Sequence, residues 1–243
     1  MEIKITENPV KLGEDASKQA IGIMKSALSK QDEISIILAT GTSQFETILG
    51  LTNSDLNWSK INVFHLDEYL GISDQHPASF RKYLQERFVN NVNNLKSFHA
   101  ISGDADDPQF ECERLSQLIE KGEITLAMVG IGENGHLAFN DPPADFNTKK
   151  SYMVVELDEK CRRQQMGEGW FSTLDEVPGK AITMSIDRIM QSQNIICSVP
   201  DERKSEAVKN CLKGAITPEN PASILQQHEN CWIYLDQGSA KLI

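Results

Sequence analysis

Apolar runs of about four to six residues alternate with longer amphipathic stretches from one end of the chain to the other. Met1-Glu2-Ile3-Lys4 opens on a short strand of alternating polarity. From about Lys11 to Lys30, Ala16, Ala20, Met24 and Ala27 recur at helical spacing and predict an amphipathic helix. Ile34–Ala39 and Ile61–Leu66 read as strands, the first of them apolar apart from Ser35. Pro77 to Val89 predicts a helix opened by proline, and Glu111 to Lys121 another closed by Gly122. The second leads into the apolar run Ile124–Val129. Tyr152–Val155, Ala181–Met184 and Ile195–Val199 predict further strands, and Asp201 is the expected cap of a helix running to Leu212. Trp232–Leu235 is the strand expected to close the sheet. Strands and helices in this order predict an α/β, Rossmann-like fold: a mainly parallel central sheet with helices on both faces, in a single domain spanning 1–243.

Composition narrows the partners. A formal net charge of -11 argues against a nucleic-acid or anionic-membrane surface, though a local basic pocket can still hold an anion. No apolar run approaches a membrane span, and the first residues carry no signal-peptide pattern, so a cytoplasmic location is expected. The five cysteines are scattered without a Cys-x-x-Cys pair, and the five histidines form no metal-binding spacing. No metal and no cofactor are expected.

Polar chemistry gathers after four of the predicted strands, where open α/β sheets bind ligands. Thr40-Gly41-Thr42-Ser43 pairs a glycine with hydroxyls ahead of a helix, a combination suited to phosphate oxygens. In Phe64-His65-Leu66-Asp67-Glu68-Tyr69-Leu70-Gly71 the adjacent carboxylates point to opposite sides, so one can face a pocket while the other braces the loop. The string Gly130-Ile131-Gly132-Glu133-Asn134-Gly135-His136-Leu137-Ala138-Phe139-Asn140-Asp141-Pro142-Pro143 joins glycines to an imidazole with acids nearby, the makings of an acid/base centre. In Pro200-Asp201-Glu202-Arg203-Lys204 a lysine in a first helical turn opposes the macrodipole, and a phosphate in the crevice would account for it. His65, His76, Trp170 and Phe171 are expected to serve packing or loop structure.

These segments together, in this order, resemble the glucosamine-6-phosphate deaminase/isomerase family, within a group that includes the 6-phosphogluconolactonases. The resemblance implies that Asp67 carries a proton between C2 and C1 of an opened aminosugar and that His136 opens the ring. It implies further that Asp141 orients and charges that histidine, and that Lys204 with the Thr40–Ser43 turn holds the phosphate. An arginine on a later helix is also implied, Arg162 or Arg163, with Arg163 taken as the candidate. The family usually has aspartate where this chain has Asn134, and glutamate where it has Asp141. Asn134 is expected to hydrogen-bond the imidazole, with Glu133 or a repositioned Asp141 compensating for the lost charge, unless ring opening is slower or the sugar differs. Ala144 stands where allosteric members have serine, so activation by N-acetylglucosamine 6-phosphate is not expected. The resemblance makes glucosamine 6-phosphate the expected substrate, with fructose 6-phosphate and ammonia as products. Galactosamine 6-phosphate, a lactonase reaction and a non-catalytic sugar-phosphate sensor remain as alternatives, and a monomer and a homo-oligomer are both open.

Overall fold

In the computed structural model, which describes residues 1–243, the chain runs β1 (Glu2–Ile5), α1 (Pro9–Leu28), β2 (Ile34–Leu38), α2 (Phe45–Thr52), β3 (Ile61–His65), β4 (Asp67–Tyr69), α3 (Phe80–Arg87), β5 (Ser97–His99) and α4 (Pro108–Ile119). It continues through β6 (Leu126–Val129), β7 (Tyr152–Glu156), α5 (Glu159–Gly167), β8 (Lys180–Met184), α6 (Ile186–Met190), β9 (Ile195–Val199), α7 (Ser205–Lys213) and β10 (Cys231–Leu235). Seven strands form one wholly parallel sheet in the order β1-β10-β9-β6-β2-β3-β5. Strand alternation sends neighbouring side chains to opposite faces. Ile36, Leu38, Val63 and Met128 therefore pack against Leu12, Ala16, Ala20 and Met24 of α1. Ile37, Phe64, Ala127 and Val129 join the core that includes Leu115 of α4 and Val208 of α7.

Helix α1 begins where the Asn8 side chain accepts from the Lys11 amide, with Pro9 in the first turn. It lies close against α2 because two glycines remove side chains from the contact. A Cβ on Gly13 would fall 2.2 Å from that of Glu46, and one on Gly50 would fall 2.1 Å from Ser17 Oγ.

The sheet departs from the sequence-based expectation in two places. β7 and β8, expected in the main sheet, instead form a separate antiparallel sheet of order β4-β8-β7, in which β8 pairs with β4 on one side and β7 on the other. β4 starts two residues after β3 ends, so the chain turns out of the main sheet at Leu66 and takes β8 and β7 with it. β10 does not close the sheet either: β1 pairs with it on the outside and forms the edge. Helix starts are also shifted. Ser79, not Pro77, caps α3, and Asp201 caps a 3-10 turn at Glu202–Lys204 that precedes α7.

After β2 the chain builds β3 and β5 on one side, then returns to place β6 on the other. The strand order thus reverses between β2 and β6, and their carboxyl ends diverge to leave a crevice.

Gly50 and Gly22 separate packing from backbone entropy. Gly50→Ala should cost about 1–3 kcal/mol through overpacking against Ser17. Gly22→Ala, at an exposed position in α1 with open space around it, should gain about 0.5–1 kcal/mol. Urea unfolding midpoints moving in opposite directions are the expected result.

Candidate active site

A cleft of about 250 Å³ lies at the carboxyl ends of β2, β3, β6 and β9, four strands that are neighbours in the sheet. Each contributes one of the polar segments singled out in the sequence.

Thr40, Gly41, Thr42 and Ser43 line the cleft after β2. Gly41 has φ +89, a conformation that L side chains rarely adopt, and its carbonyl accepts from Tyr83 OH at 3.0 Å. Buried Gln44 donates to the Val129 carbonyl and to Ser43 Oγ, tying this turn to the end of β6.

Asp67 lines the cleft after β3, and Glu68 faces away from it. Glu68 accepts from the amides of Tyr69, Phe80 and Arg81 and from Ser79 Oγ, so it caps the start of α3. Burial pushes the Asp67 carboxyl up to about 8, with a contribution from the nearby Glu68 charge.

The histidine loop follows β6. His136 lines the cleft, and Gly132 lies against its ring: a Cβ there would sit 2.2 Å from Cε1 and Nε2. His136 Nδ1 is 3.2 Å from Asp141 Oδ1, although this buried nitrogen makes no aligned hydrogen bond. Asn134 does not touch the imidazole as expected. Its Oδ1 accepts from the His136 backbone amide, and its Nδ2 donates to Asp141 Oδ1 and Asp158 Oδ2. Asp141 Oδ2 accepts from the Asp158 amide. Burial works to raise the Asp141 carboxyl, but His136, Asn134 and the Asp158 amide together hold it below the usual range. The second carboxylate of the cluster is therefore Asp158, which the sequence reading did not single out. Glu133, a candidate for that role, is instead 3.4 Å from Arg203. The only sequence hint at Asp158 was the residue type, an Asp in N-cap position before a short polar helix.

Lys204 ends the 3-10 turn after β9 and lines the cleft while only 6% exposed. Burial draws its ammonium below the usual range, against the opposing pull of Glu168 and Glu133. Asp201, at φ +89, and Ala138, at φ +53, also border the cleft, so two of its residues sit in sparsely populated backbone regions.

Helix α5 supplies the remaining wall, and here the expectation fails. Arg163 is exposed and paired with Glu159, while Arg162 donates to the carbonyls of Leu174 and Val177. Neither lines the cleft, because both project from the helix on sides away from it. Gln164, Gln165 and Glu168 face it instead. Gln164 accepts from the Glu133 amide and Gln165 from Tyr69 OH, so α5 is tied both to the histidine loop and to β4. Arg203, also unanticipated, is the second cation lining the cleft. His65 is buried, and Phe171 packs against Tyr69 and His76 without reaching the cleft. Such a site can hold an anion at its Lys204 end and move protons at Asp67 and His136.

Residues 7–233 match the family model described as glucosamine-6-phosphate isomerases/6-phosphogluconolactonase. The chain belongs to this family. It is 35% identical to glucosamine-6-phosphate deaminase of Clostridium acetobutylicum, over 95% of this chain and 96% of that protein. It is 34% identical to glucosamine-6-phosphate deaminase 1 of Bacillus subtilis, over 94% and 96%. A solved monomeric glucosamine-6-phosphate deaminase shares 30% identity over the whole of both chains, with a TM-score of 0.89. A 6-phosphogluconolactonase from Thermotoga maritima reaches a TM-score of 0.80 at 16% identity, over 97% of this chain and 99% of that one, a likeness of fold alone.

The raised Asp67 carboxyl has a consequence for stability. Between an unfolded value near 4 and the folded value of about 8, the folded chain holds a proton that the unfolded chain has lost. This group therefore costs stability progressively as pH rises from about 4 to about 8. The Tm of Asp67→Asn should exceed that of the parent chain by a margin that widens across this window in paired thermal melts.

Proposed function

We propose that this chain is a glucosamine-6-phosphate deaminase, converting glucosamine 6-phosphate to fructose 6-phosphate and ammonia. The observation that carries the reading is a single cleft holding a buried, raised carboxyl, a carboxylate-backed imidazole and a buried lysine, in a chain 30–35% identical to proteins of that name.

The phosphate is held by Lys204 and the Thr40–Ser43 turn, where a charge-assisted contact can replace the water that Lys204 lacks. His136 donates a proton to the ring oxygen and takes up the proton of the C1 hydroxyl, and the sugar opens to the aldehyde. Asp141, 3.2 Å from Nδ1, holds the imidazole in place. Asp67 as carboxylate then removes the C2 proton, and the electron pair moves into the C1–C2 bond as the C1 oxygen takes up a proton given up by the C2 ammonium, which leaves an enolamine. Return of the proton from Asp67 to C1 leaves a C2 iminium. Water adds at C2, ammonia departs and the ketose remains. The C1 carbonyl accepts the electron pair of the C2–H bond, and the nitrogen lone pair drives protonation at C1, so every step runs on these side chains and the substrate's own groups.

A base of raised pKa must still ionise at the working pH. The C2 ammonium of the substrate supplies the opposite charge and draws Asp67 to its carboxylate form in the complex. Asn134 and Asp158 act at one remove: Asp158 fixes the amide of Asn134, and Asn134 in turn orients Asp141 and the His136 backbone.

Ammonia release coupled to fructose 6-phosphate detection tests the reaction, with galactosamine 6-phosphate and 6-phosphogluconolactone as comparison substrates. Stoichiometric products from glucosamine 6-phosphate are expected, and Asp67→Asn should lower kcat by about 10²–10⁴-fold. Turnover of the lactone alone would overturn the reading. kcat/KM should climb with pH through about 8, the value of the free cleft, whereas kcat should level off at lower pH because bound ammonium assists ionisation. For the positioning pair, Asn134→Asp, which replaces two donated hydrogen bonds with a carboxylate beside Asp141 and Asp158, should lower kcat and shift its acidic limb. Asp158→Asn should move the same limb in kcat with little change in KM. Loss of thermal stability with an unchanged pH profile would make Asp158 a helix cap and nothing more.

A further inference from the structure

Cys161, in the first turn of α5, takes no part in the reaction above. Its Sγ, a ring nitrogen of His136 and a carboxylate oxygen of Asp141 all lie within 4.8 Å of one another. The pair already close, His136 Nδ1 and Asp141 Oδ1, stand 3.2 Å apart. Two ligands bound at about 2.0–2.1 Å to a tetrahedral ion are separated by roughly 3.3 Å. His136 Nδ1 is also a buried nitrogen with no hydrogen-bond partner, and it is aimed toward Asp141. Cys161 itself is fully buried.

We propose that His136, Asp141 and Cys161 form a latent Zn²⁺ site, and that metal capture there inhibits the chain. The ligand set selects the ion. One imidazole, one carboxylate and one thiol suit a borderline-soft dication and do not suit Mg²⁺ or Ca²⁺, which take oxygen. Charge selects it as well. A thiolate and a carboxylate neutralise the two charges of the ion while the imidazole stays neutral, so the filled site carries no net charge into a buried volume.

Burial, with the Asp141 and Asp158 carboxylates, pushes the Cys161 thiol up and favours its protonated form in the metal-free chain. On binding, the S–Zn bond forms as the thiol proton leaves to solvent, and no electrons are transferred. Nδ1 of His136 and the Asp141 carboxylate are then both engaged by the ion. The pair that opens the sugar ring is lost, while Asp67 and Lys204 remain free. Inhibition rests on the deaminase reading, whereas metal binding does not.

Two readouts test the proposal on the full chain. Co²⁺ titration should produce thiolate-to-metal charge-transfer absorption at one equivalent, whether or not the chain turns over any substrate. Zn²⁺ should abolish ammonia release from glucosamine 6-phosphate, and a chelator should restore it. Cys161→Ser and Cys161→Ala should each keep metal-free turnover, lose the charge-transfer band and require at least about tenfold more Zn²⁺ for inhibition. Cys112→Ser, at a buried thiol outside the trio, should behave as the parent chain. Absence of the band in the parent chain would overturn the proposal. Equal zinc inhibition of the parent and both Cys161 variants would do so too. A band that depends on Cys161 in a chain that releases no ammonia would uphold the site and overturn the deaminase reading instead.

Discussion

The arrangement of the cleft depends on how Glu68 is held. One buried carboxylate accepts four hydrogen bonds from the start of α3 and from Tyr69, which fixes β4 where it leaves the main sheet. Side chains alternate along an extended chain, so holding Glu68 on one side commits Asp67 to the other, into the cleft. The same anchor positions Tyr69, whose hydroxyl reaches Gln165 and ties α5 over the site. Burial of Asp67 therefore follows from the way its neighbour is satisfied. The high proton affinity that suits it to carbon acid chemistry is a product of packing.

A second network, on the opposite side of the reversal in strand order, serves His136. Glycines let the loop fold tightly against the imidazole, and Asn134 carries no charge of its own but connects three groups that do matter. Through it, Asp158 at the start of α5 reaches Asp141. Helix α5 is thus tied to both halves of the chemistry: to the base through Tyr69 and to the ring-opening pair through Asp158 and Gln164. A shift of this helix would be felt at both.

Charge in the cleft is mixed. Lys204 and Arg203 stand at one end, and the carboxylate of Glu168 lines the same space. Arg203 is also within ion-pair distance of Asp201 and Glu133, which leaves Lys204 as the cation least committed to a protein partner. A chain with a net charge of -11 can hold an anion here because the interaction is short-range and largely shielded from the surface by burial.

Hydrophobic period and strand-end composition were enough to determine the layers, the parallel sheet and the segments that meet at its carboxyl edge. Those features are local: alternation, caps and glycine placement act within a few residues of each other. The segments that carry Asp67, His136, Lys204 and the Thr40–Ser43 turn were legible because each is the connection that follows a strand, while the part expected of each residue within its segment came from the family resemblance. What the sequence did not determine is what lies beyond such short range. Strands β7 and β8 have the same apolar pattern as the others, and only the pairing of β8 with β4, and of β7 with β8, removes them from the main sheet. Arg162 and Arg163 are as basic as any anion-binding residue, but the rotation of α5 against the histidine loop turns both away and presents Gln164, Gln165 and Glu168. Asp158 and Cys161 meet His136 and Asp141 across a separation of about twenty residues in sequence. Such contacts are decided by how one helix packs on one loop, a choice that no local pattern encodes.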